Sequence, residues 1–492
     1  MPDDVVRRGR LTGERTGEMM HFLSSMKADR CIADADILVD IAHTLMLQKQ
    51  KIIGDEPARK LLAGLLVLYD SGVPEVAFDE RFEDIHAGIE SLLIESAGEE
   101  VGGRLHIGRS RNDEVVTCMR IRLREDLLKQ MTALVRLRET LLTLAGEHTE
   151  TVMPGFTHFQ HAQPTTLAHH LLAYEQAFGR DFERLSGAYI RVNRSPLGAA
   201  AFASTGYPIN RELTAKMLGF DGLVLNTMDA VASRDFALEV LADLSVMMSN
   251  ASRLCEEFIL WSSSFIGFVT LDDAFCSTSS IMPQKKNPDT AEIMRAKCAS
   301  VLGSYTQALV TVKGLPMSYN RDLQELTPGL WRGVWDAKHS MRLLVDMLAT
   351  AVFHPSRMAE EAAKGNTTAT DVADMLVRRY GMPFRTAHSV IGRAVQKGTV
   401  DLATIDEAAV EITGKPLSRD GLTQNDIEEA LQVSKSVASR DAPGGPSAMA
   451  VRVALAERRA LIDKDRAELD GRISAISEAV TRLINDARRM TA

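Results

Sequence analysis

The chain has 492 residues, of which 45% are apolar, 25% are charged and only 5% are aromatic. This length exceeds that of most single-core domains, and the scarcity of aromatic residues favours packed helices over β-sandwich or barrel layers. The formal net charge of −9 disfavours nucleic acid or an acidic membrane as a partner, because both require a concentrated basic face.

The positions of the cysteines and the absence of long apolar runs indicate which kinds of site and which cellular location to expect. The five cysteines contain no Cys-x-x-Cys pair and no Cys/His cluster with zinc spacing, so the sequence predicts neither a metal site nor a disulfide framework. The first ten residues lack an apolar signal segment, and no run of about eighteen apolar residues occurs. We therefore expect a cytoplasmic protein without a membrane partner.

The first long helix is predicted from Glu114 to about Leu144, where apolar side chains recur every fourth residue without a proline. Asn112 or Asp113 can serve as its N-cap. A further helix is predicted to open at Pro164, after a polar segment. We expect the two polar segments that precede these helices, His106–Asp113 and Gly155–Pro164, to lie at helix starts, where N–H donors are available.

A third long helix is predicted from Asp229 onwards. Apolar side chains recur at spacings of three, four or seven from Phe236 to Phe258, on a broad face. Such breadth is typical of a core helix of a bundle, and such a helix can also be buried against other subunits.

The segment Ser277–Asp289 combines four consecutive hydroxyl side chains, two prolines and two lysines. Its prolines favour a short turn over a strand, and Asn287 or Asp289 can cap the helix that follows. Free N–H groups and two lysines beside the hydroxyls predict an anion site. The alternative is a solvated loop before a capped helix.

The composition becomes polar and small near residues 363–368, which predicts the start of a C-terminal domain. An amphipathic helix follows Thr370. The last helix has apolar residues at three- and four-residue spacings from Leu469 to Leu483, a pattern that packs on a neighbouring helix.

Three segments, His106–Asp113, Gly155–Pro164 and Ser277–Asp289, together resemble the signatures of the fumarase/aspartase superfamily. Thr278 stands where a glycine is usual. Residues 284–289, Gln-Lys-Lys-Asn-Pro-Asp, resemble the argininosuccinate lyase branch. The resemblance implies an all-α, three-domain fumarase/aspartase-type fold with a long central helix bundle. We expect the domains to be an N-terminal helical domain at 1–112, the central bundle at 113–362 and a C-terminal helical domain at 363–492.

The resemblance also implies an activity, the splitting of argininosuccinate into L-arginine and fumarate by β-elimination in arginine biosynthesis, without cofactor or metal. Removing the proton β to the leaving nitrogen gives a carbanion whose charge spreads into a carboxylate. Such a site needs clustered cations and N–H donors, with a base on the opposite side of the carbon. The family implies a homotetramer in which each site takes its three motif segments from three subunits.

By resemblance, Ser279 is the base, with Ser280 as its neighbour. A helix N-terminus contributes at most about 2 kcal/mol, which is far too little to ionise a serine. Lys285, the amides of the loop and the exclusion of water must supply the rest. The alternative is that Ser279 only binds a carboxylate. His158 resembles the catalytic residue at the leaving nitrogen, and Glu292 its partner, which can orient the imidazole and raise its pKa.

The resemblance assigns the remaining contacts by position. Arg109 adds positive charge or forms a structural ion pair, and Asp84 and His86 are expected at the guanidinium side. The expected substrate-binding residues are Asn112, Thr157, Lys285 and Asn287 at the carboxylates, Arg111 beside them, Ser25 near the N-terminus, and Tyr319 and Gln324 at the arginine portion.

The chain departs from the family pattern at two places. Thr327 replaces a lysine, and we expect Arg321 or Lys313 to take over its contact. The opening Trp-Gly-Gly-Arg element is altered to Leu11–Arg15. Two rivals therefore remain: a sister lyase that releases another amine from an N-succinyl adduct, and a catalytically silent structural relative. Residues 109–113 together with residues 284–286 argue against the first, and the joint presence of Ser279, His158, Lys285 and Asn287 argues against the second.

Overall fold

Helices account for nearly all regular structure in the computed structural model, which describes residues 15–492. The altered opening element at residues 11–14 lies outside the described residues. The all-α class expected from the composition is confirmed. The N-terminal part consists of α1 (Gly17–Leu23), α2 (Met26–Asp29), α3 (Ala33–Lys49), α4 (Asp55–Ser71), α5 (Ile85–Ala97) and α6 (Glu99–Gly102).

The central part contains the long helices and three two-stranded antiparallel pairs, β1–β2, β3–β6 and β4–β5. In chain order its elements are α7 (Arg111–Glu147), β1 (Val152–Thr157), β2 (Gln160–Thr166), α8 (Leu167–Val192), α9 (Arg211–Met217), α10 (Thr227–Ala232), α11 (Asp235–Ser262), β3 (Val269–Thr270), β4 (Ser277–Thr278), β5 (Lys286–Asn287), α12 (Asp289–Val312), α13 (Leu323–Ala349) and β6 (Val352–Phe353).

The C-terminal part has its own small core, formed by apolar residues between Val372 and Ile427. The last helix instead shares the large core with the N-terminal helices and the bundle. The domain limits at 112 and 362 stay predictions. The C-terminal helices are α14 (Pro355–Ala362), α15 (Ala369–Tyr380), α16 (Phe384–Gln396), α17 (Leu402–Thr413), α18 (Gln424–Ala430), α19 (Val433–Ala438) and α20 (Ala448–Thr491).

The start of α7 differs from the sequence prediction. Its N-cap is Ser110, and neither Asn112 nor Asp113 takes that place. The Ser110 hydroxyl accepts from the N–H of Asn112 (3.3 Å), and the Asp113 carboxylate accepts from the N–H of Ser110 (3.0 Å). This capping box satisfies two backbone groups at once and fixes where the helix begins.

Side-chain contacts fix the directions of the five long helices of the central part. Helices α7, α11 and α13 run in one direction, and α8 and α12 run in the opposite direction. Therefore α7, α11 and α13 begin at the same end of the bundle. The contacts are Arg120 and Arg138 of α7 with Arg191 and Glu175 of α8, Arg120 and Gln130 of α7 with Ser233 and Met247 at α11, and Lys297 and Gln307 of α12 with Asp336 and Glu325 of α13. Lys338 of α13 contacts Asp126 of α7, and the starts of both helices line one cavity, so α13 runs parallel to α7. Between residues 15 and 492, no helix is both long and apolar enough to cross a membrane.

Candidate active site

A cavity of about 190 Å³ lies where α7, α11 and α13 begin. Each helix N-terminus carries roughly half a positive charge, so three of them favour an anion at this end of the bundle. The cavity is small beside the roughly 300–1,000 Å³ of ordinary ligand pockets. The predicted residues that line it are Ser25, Asp84, His86, Arg111, Asn112, Tyr319, Arg321, Gln324 and Thr327.

Tyr319 and Gln324, the residues expected to bind the arginine portion, lie on one wall of this cavity. Gln324 donates to the carbonyl of Leu23 (3.1 Å), and Arg321 donates to Glu83 (2.6 Å). Thr327 is buried, and its hydroxyl donates to the Gln324 carbonyl (2.9 Å). Of the two residues expected to replace the missing lysine, only Arg321 lies here. Lys313 is exposed after α12 and does not line the cavity.

Behind the cavity, Arg109 lies in a fully buried cluster of charges. It contacts Asp40 (2.5 Å) and Glu114 (2.9 Å), so it forms a structural ion pair and is not a free substrate cation. Burial raises the pKa of Asp40 to about 6, although the guanidinium opposes this. The His86 ring bonds to Asp36 (2.8 Å). Burial lowers the pKa of His86, but the neighbouring carboxylates outweigh it, and the pKa lies well above its usual value.

At the edge of the same cavity, Arg111 forms an ion pair with Asp84 (3.1 Å). Asn112 donates its side-chain amide to the carbonyl of Ala201 (3.2 Å). Ser25 donates to Asp29 (2.6 Å). The expected guanidinium contact at Asp84 is therefore already occupied by an arginine of the chain itself.

In the segment Ser277–Asp289, which we call the signature loop, two backbone N–H groups donate to the Ser279 side chain. Its hydroxyl oxygen accepts from the N–H groups of Ile281 (3.3 Å) and Met282 (3.1 Å). Two such donors stabilise a serine alkoxide more than a neutral hydroxyl. The neighbouring Ser280 is exposed, and no hydrogen bond joins its side chain to residues 15–492.

The N-cap of α12 also differs from the sequence prediction. Pro288 occupies the N-cap position without a side-chain bond, so neither Asn287 nor Asp289 caps this helix. The Asn287 amide instead donates to the Ser277 hydroxyl across the β4–β5 pair (3.4 Å).

The two lysines of the loop differ in their contacts. Lys286 donates to Asp273 (2.6 Å) and to the carbonyl of Leu271 (2.5 Å), and this bonding to Asp273 raises its pKa. Lys285 is exposed, and its side chain has no hydrogen bond or ion pair with the described part of the chain. Lys285 is therefore the loop cation that is available to a substrate.

The His158 motif does not start a helix, contrary to the prediction. Thr157 ends β1, and His158 and Phe159 form the two-residue turn between β1 and β2. Their φ angles are 54° and 56°, the left-handed geometry of a type I′ turn, which histidine adopts more readily than most residues but which is rare for a bulky residue such as Phe159. Backbone strain of this kind persists mainly at functional sites. The imidazole is exposed, and no hydrogen bond joins it to Glu292 within the described chain.

The other histidines around the hairpin are held by structural contacts. His169 bonds to Thr165 (2.8 Å), and His170 bonds to Glu257. Only the turn position distinguishes His158 from them in the fold.

One chain does not bring all the predicted site residues together. The 37 residues of α7 span about 55 Å at 1.5 Å per residue. Even if the hairpin folds back along α7, His158 stays more than about 20 Å from Asn112. Because Gln307 of α12 contacts Glu325, the start of α12 at Asp289, directly after the Ser279 loop, lies about 27 Å along the helix axis from the segment that contains Gln324. Catalysis requires contacts of about 3 Å.

Comparison with known proteins decides the family. The profile of the family described as Lyase matches residues 9–303, and that described as Argininosuccinate lyase C-terminal matches residues 366–438. An argininosuccinate lyase of Methanoculleus marisnigri is 60% identical over 100% of both chains. That of Methanospirillum hungatei is 56% identical over 100% of this chain and 99% of its own. The chain belongs to the argininosuccinate lyase family.

Solved structures agree with this family and its fold. The crystal structure of EDDS lyase in complex with formate matches with a TM-score of 0.85 and 33% identity over 99% of this chain and 98% of that one. A class II fumarase from Schistosoma mansoni matches with a TM-score of 0.70 at 16% identity over 82% of this chain and 90% of its own, which supports the fold alone. The fumarase/aspartase-type fold inferred from the motifs is confirmed.

The sequence reasoning missed three charged residues of the cavity, Asp29, Glu83 and Arg234. Asp29 and Arg234 line it, and both are buried. The local sequence around either residue gives no signal of this, because their proximity depends on how α2 and the start of α11 pack.

Proposed function

We propose that this member of the argininosuccinate lyase family cleaves argininosuccinate into L-arginine and fumarate by β-elimination, in the cytoplasm and without cofactor or metal. The observation that carries the chemistry is the pair of N–H groups directed at the Ser279 hydroxyl. This arrangement favours a negatively charged oxygen at a position where the family has its base.

In this proposal, Ser279 removes the proton from the carbon β to the leaving nitrogen. The two loop amides and Lys285 stabilise first the alkoxide and then the carbanion, whose charge spreads into a carboxylate. His158, oriented by Glu292, assists departure of the guanidino nitrogen. The carboxylates are bound by Asn112, Thr157 and Asn287, with Arg111 beside them. The arginine portion is bound by Tyr319 and Gln324, and Ser25 makes a further contact with the substrate.

We further propose a homotetramer whose sites are shared between subunits. The distance of the Asn112 segment from the His158 hairpin in one chain supports this, because an antiparallel neighbour would bring opposite ends of two bundles together. Large apolar side chains also remain exposed on two central helices, as expected of surfaces that associate. They are Leu302 (51%), Leu309 (42%) and Val310 (55%) on α12, and Trp335 (53%) and Leu343 (46%) on α13.

The substrate assignment is tested by incubating the purified chain with argininosuccinate and following fumarate by absorbance. We expect kcat/KM for argininosuccinate to exceed that for adenylosuccinate and for ethylenediamine disuccinate by at least about a hundredfold, because buried polar groups reject analogues that leave them unpaired. Higher kcat/KM for either other adduct would make this a sister lyase. If no adduct released fumarate, the chain would be a silent relative.

A further inference from the structure

The turn that contains His158 is held by few contacts. His158 and Phe159 both have positive φ, and strain of this kind persists only where the surrounding structure fixes the residues on either side. Phe159 is 82% exposed, and no side-chain hydrogen bond joins residues 157–160 to the rest of the described chain. The position of the turn therefore depends on the strand pair that follows these residues, Phe156 and His161.

The contacts at the base of the hairpin do not fix its tip. At the base, the Thr166 hydroxyl of β2 donates to the carbonyl of Pro446 (3.4 Å). A β-bulge lies between Pro154 and Phe156, where one residue of β1 opposes two of β2. A bulge bends the strands and interrupts their hydrogen bonds, so the tip, which comprises residues 156–161, needs a support of its own.

The His161 side chain contacts both the opposite strand and the C-terminal part. Its ring lies against that of Phe156, and the two ring centroids are 5.0 Å apart. On the other side, where α14 packs against β1, a Cβ atom added to Gly365 would lie 2.8 Å from the Cβ of His161 and 3.0 Å from its Cγ. The Nε2 atom lies 3.8 Å from a carboxylate oxygen of Glu361. His161 thus joins the tip to α14 and the segment that follows it.

The partners of His161 in the C-terminal part are themselves held in place. Glu361 forms ion pairs with Arg357 (2.6 Å) and Lys364 (2.7 Å). Gly365 has a φ of 68°, which glycine adopts without strain. Because the contact between His161 and Glu361 is long and partly exposed, it contributes little. Packing of the ring on Gly365 is therefore the stronger of these two contacts.

We propose that His161 is a positioning residue for His158. By packing its ring against both Phe156 and Gly365, His161 fixes the tip of the hairpin on the C-terminal part and so fixes the direction of the His158 imidazole. Without that ring, the tip is free to move at the bulge, and a displacement of about 1 Å in a reacting group lowers a rate by about a hundredfold. The inference rests on the proposed function, in which His158 assists departure of the guanidino nitrogen.

The first test removes the ring of His161 and then restores a ring at that position. We expect His161→Ala to lower kcat for argininosuccinate about ten- to a hundredfold while KM changes less than about threefold, because positioning affects the transition state more than binding. The amides of residues 156–161 should exchange with deuterium at least about tenfold faster in tetramers of this variant, as measured by mass spectrometry of peptic fragments. His161→Phe, which keeps a ring against Phe156 and Gly365, should restore both kcat and exchange to within about threefold of wild type.

Three further variants separate packing from backbone strain and from charge. Gly365→Ala should lower kcat at least about tenfold, because the new Cβ displaces His161. Gly381→Ala is its matched control. Gly381 has a similar φ of 63°, but a Cβ there would meet nothing within 4 Å, so kcat should stay within about threefold of wild type. Glu361→Gln should likewise stay within about threefold, because the ionic contact contributes little.

Unchanged exchange in His161→Ala would overturn the proposal, as would faster exchange with kcat still within about threefold of wild type. Equal losses in Gly365→Ala and Gly381→Ala would assign the effect to backbone strain, and a loss in Glu361→Gln as large as that in His161→Ala would assign it to charge. Both results would contradict the packing role. Failure of the proposed function is a different result: if the wild type released no fumarate, the exchange measurements would still decide whether His161 fixes the tip.

Discussion

Replacing Ser279 with alanine will lower kcat for argininosuccinate by at least about two orders of magnitude, with KM changed less than about threefold. A positioned base contributes about 10²–10⁴ to the rate, and its loss affects the transition state more than substrate binding. In this variant, the N–H groups of Ile281 and Met282, which donate to the Ser279 hydroxyl oxygen in the wild type, have no side-chain oxygen at residue 279 to stabilise. Steady-state kinetics by fumarate absorbance measures both constants.

Ser280→Ala is the matched control, because it removes the same hydroxyl one residue later from an exposed side chain. We expect this variant to keep kcat within about tenfold of wild type. If Ser279→Ala retained kcat within tenfold of wild type, the base would have to be reassigned, with Ser280 and His158 as the first candidates.

Replacing Arg109 with methionine will lower the free energy of unfolding at neutral pH by about 3–5 kcal/mol, the cost of breaking a buried ion pair from one side. The change leaves the buried carboxylates of Asp40 and Glu114 without their guanidinium. The measurement is the midpoint of urea denaturation at fixed protein concentration. Arg59→Met is the control, because Arg59 pairs with Glu56 on the surface, and exposed pairs contribute only about 0–1 kcal/mol.

The difference in the free energy of unfolding between the wild type and Arg109→Met should become smaller as the pH falls from 7.5 to 5. In the wild type, burial holds the pKa of Asp40 at about 6 against the opposing guanidinium, so removal of that cation raises the pKa further. The folded variant then binds a proton that the unfolded chain does not, and its free energy of unfolding rises as the pH falls. A deficit below 1 kcal/mol at pH 7.5, or one that grows on acidification, would contradict the buried ion-pair assignment.

The long helices could be predicted because their signals are local. The apolar spacing from Phe236 to Phe258 identified α11, and these residues are buried in the structure. Its caps were harder to predict, because several polar residues compete for each position. At α7, Ser110 and not Asn112 is the N-cap, because Ser110 and Asp113 form reciprocal hydrogen bonds. Those bonds depend on backbone geometry, which composition does not reveal.

The hairpin at His158 was mistaken for a helix start because its turn lacks the usual signal. Two-residue turns of this type favour Asn-Gly or Asp-Gly, whereas this turn contains His158 and Phe159, both at positive φ. The motif resemblance identified the residue but not its backbone. The presence of Asp29 and Arg234 in the cavity wall was beyond sequence reasoning, because these residues are 205 positions apart in the chain and reach the same cavity only through packing.

The shared active site is tested most directly by complementation between Ser279→Ala and His158→Asn, each inactive alone. Equal amounts of the two variants are denatured together and refolded, and tetramers are isolated by size before assay. If different subunits supply the two residues, random assembly gives about one site in four with both wild-type side chains, so we expect about a quarter of wild-type activity. Tetramers with no more activity than either parent would show that one chain supplies both residues and would contradict the account.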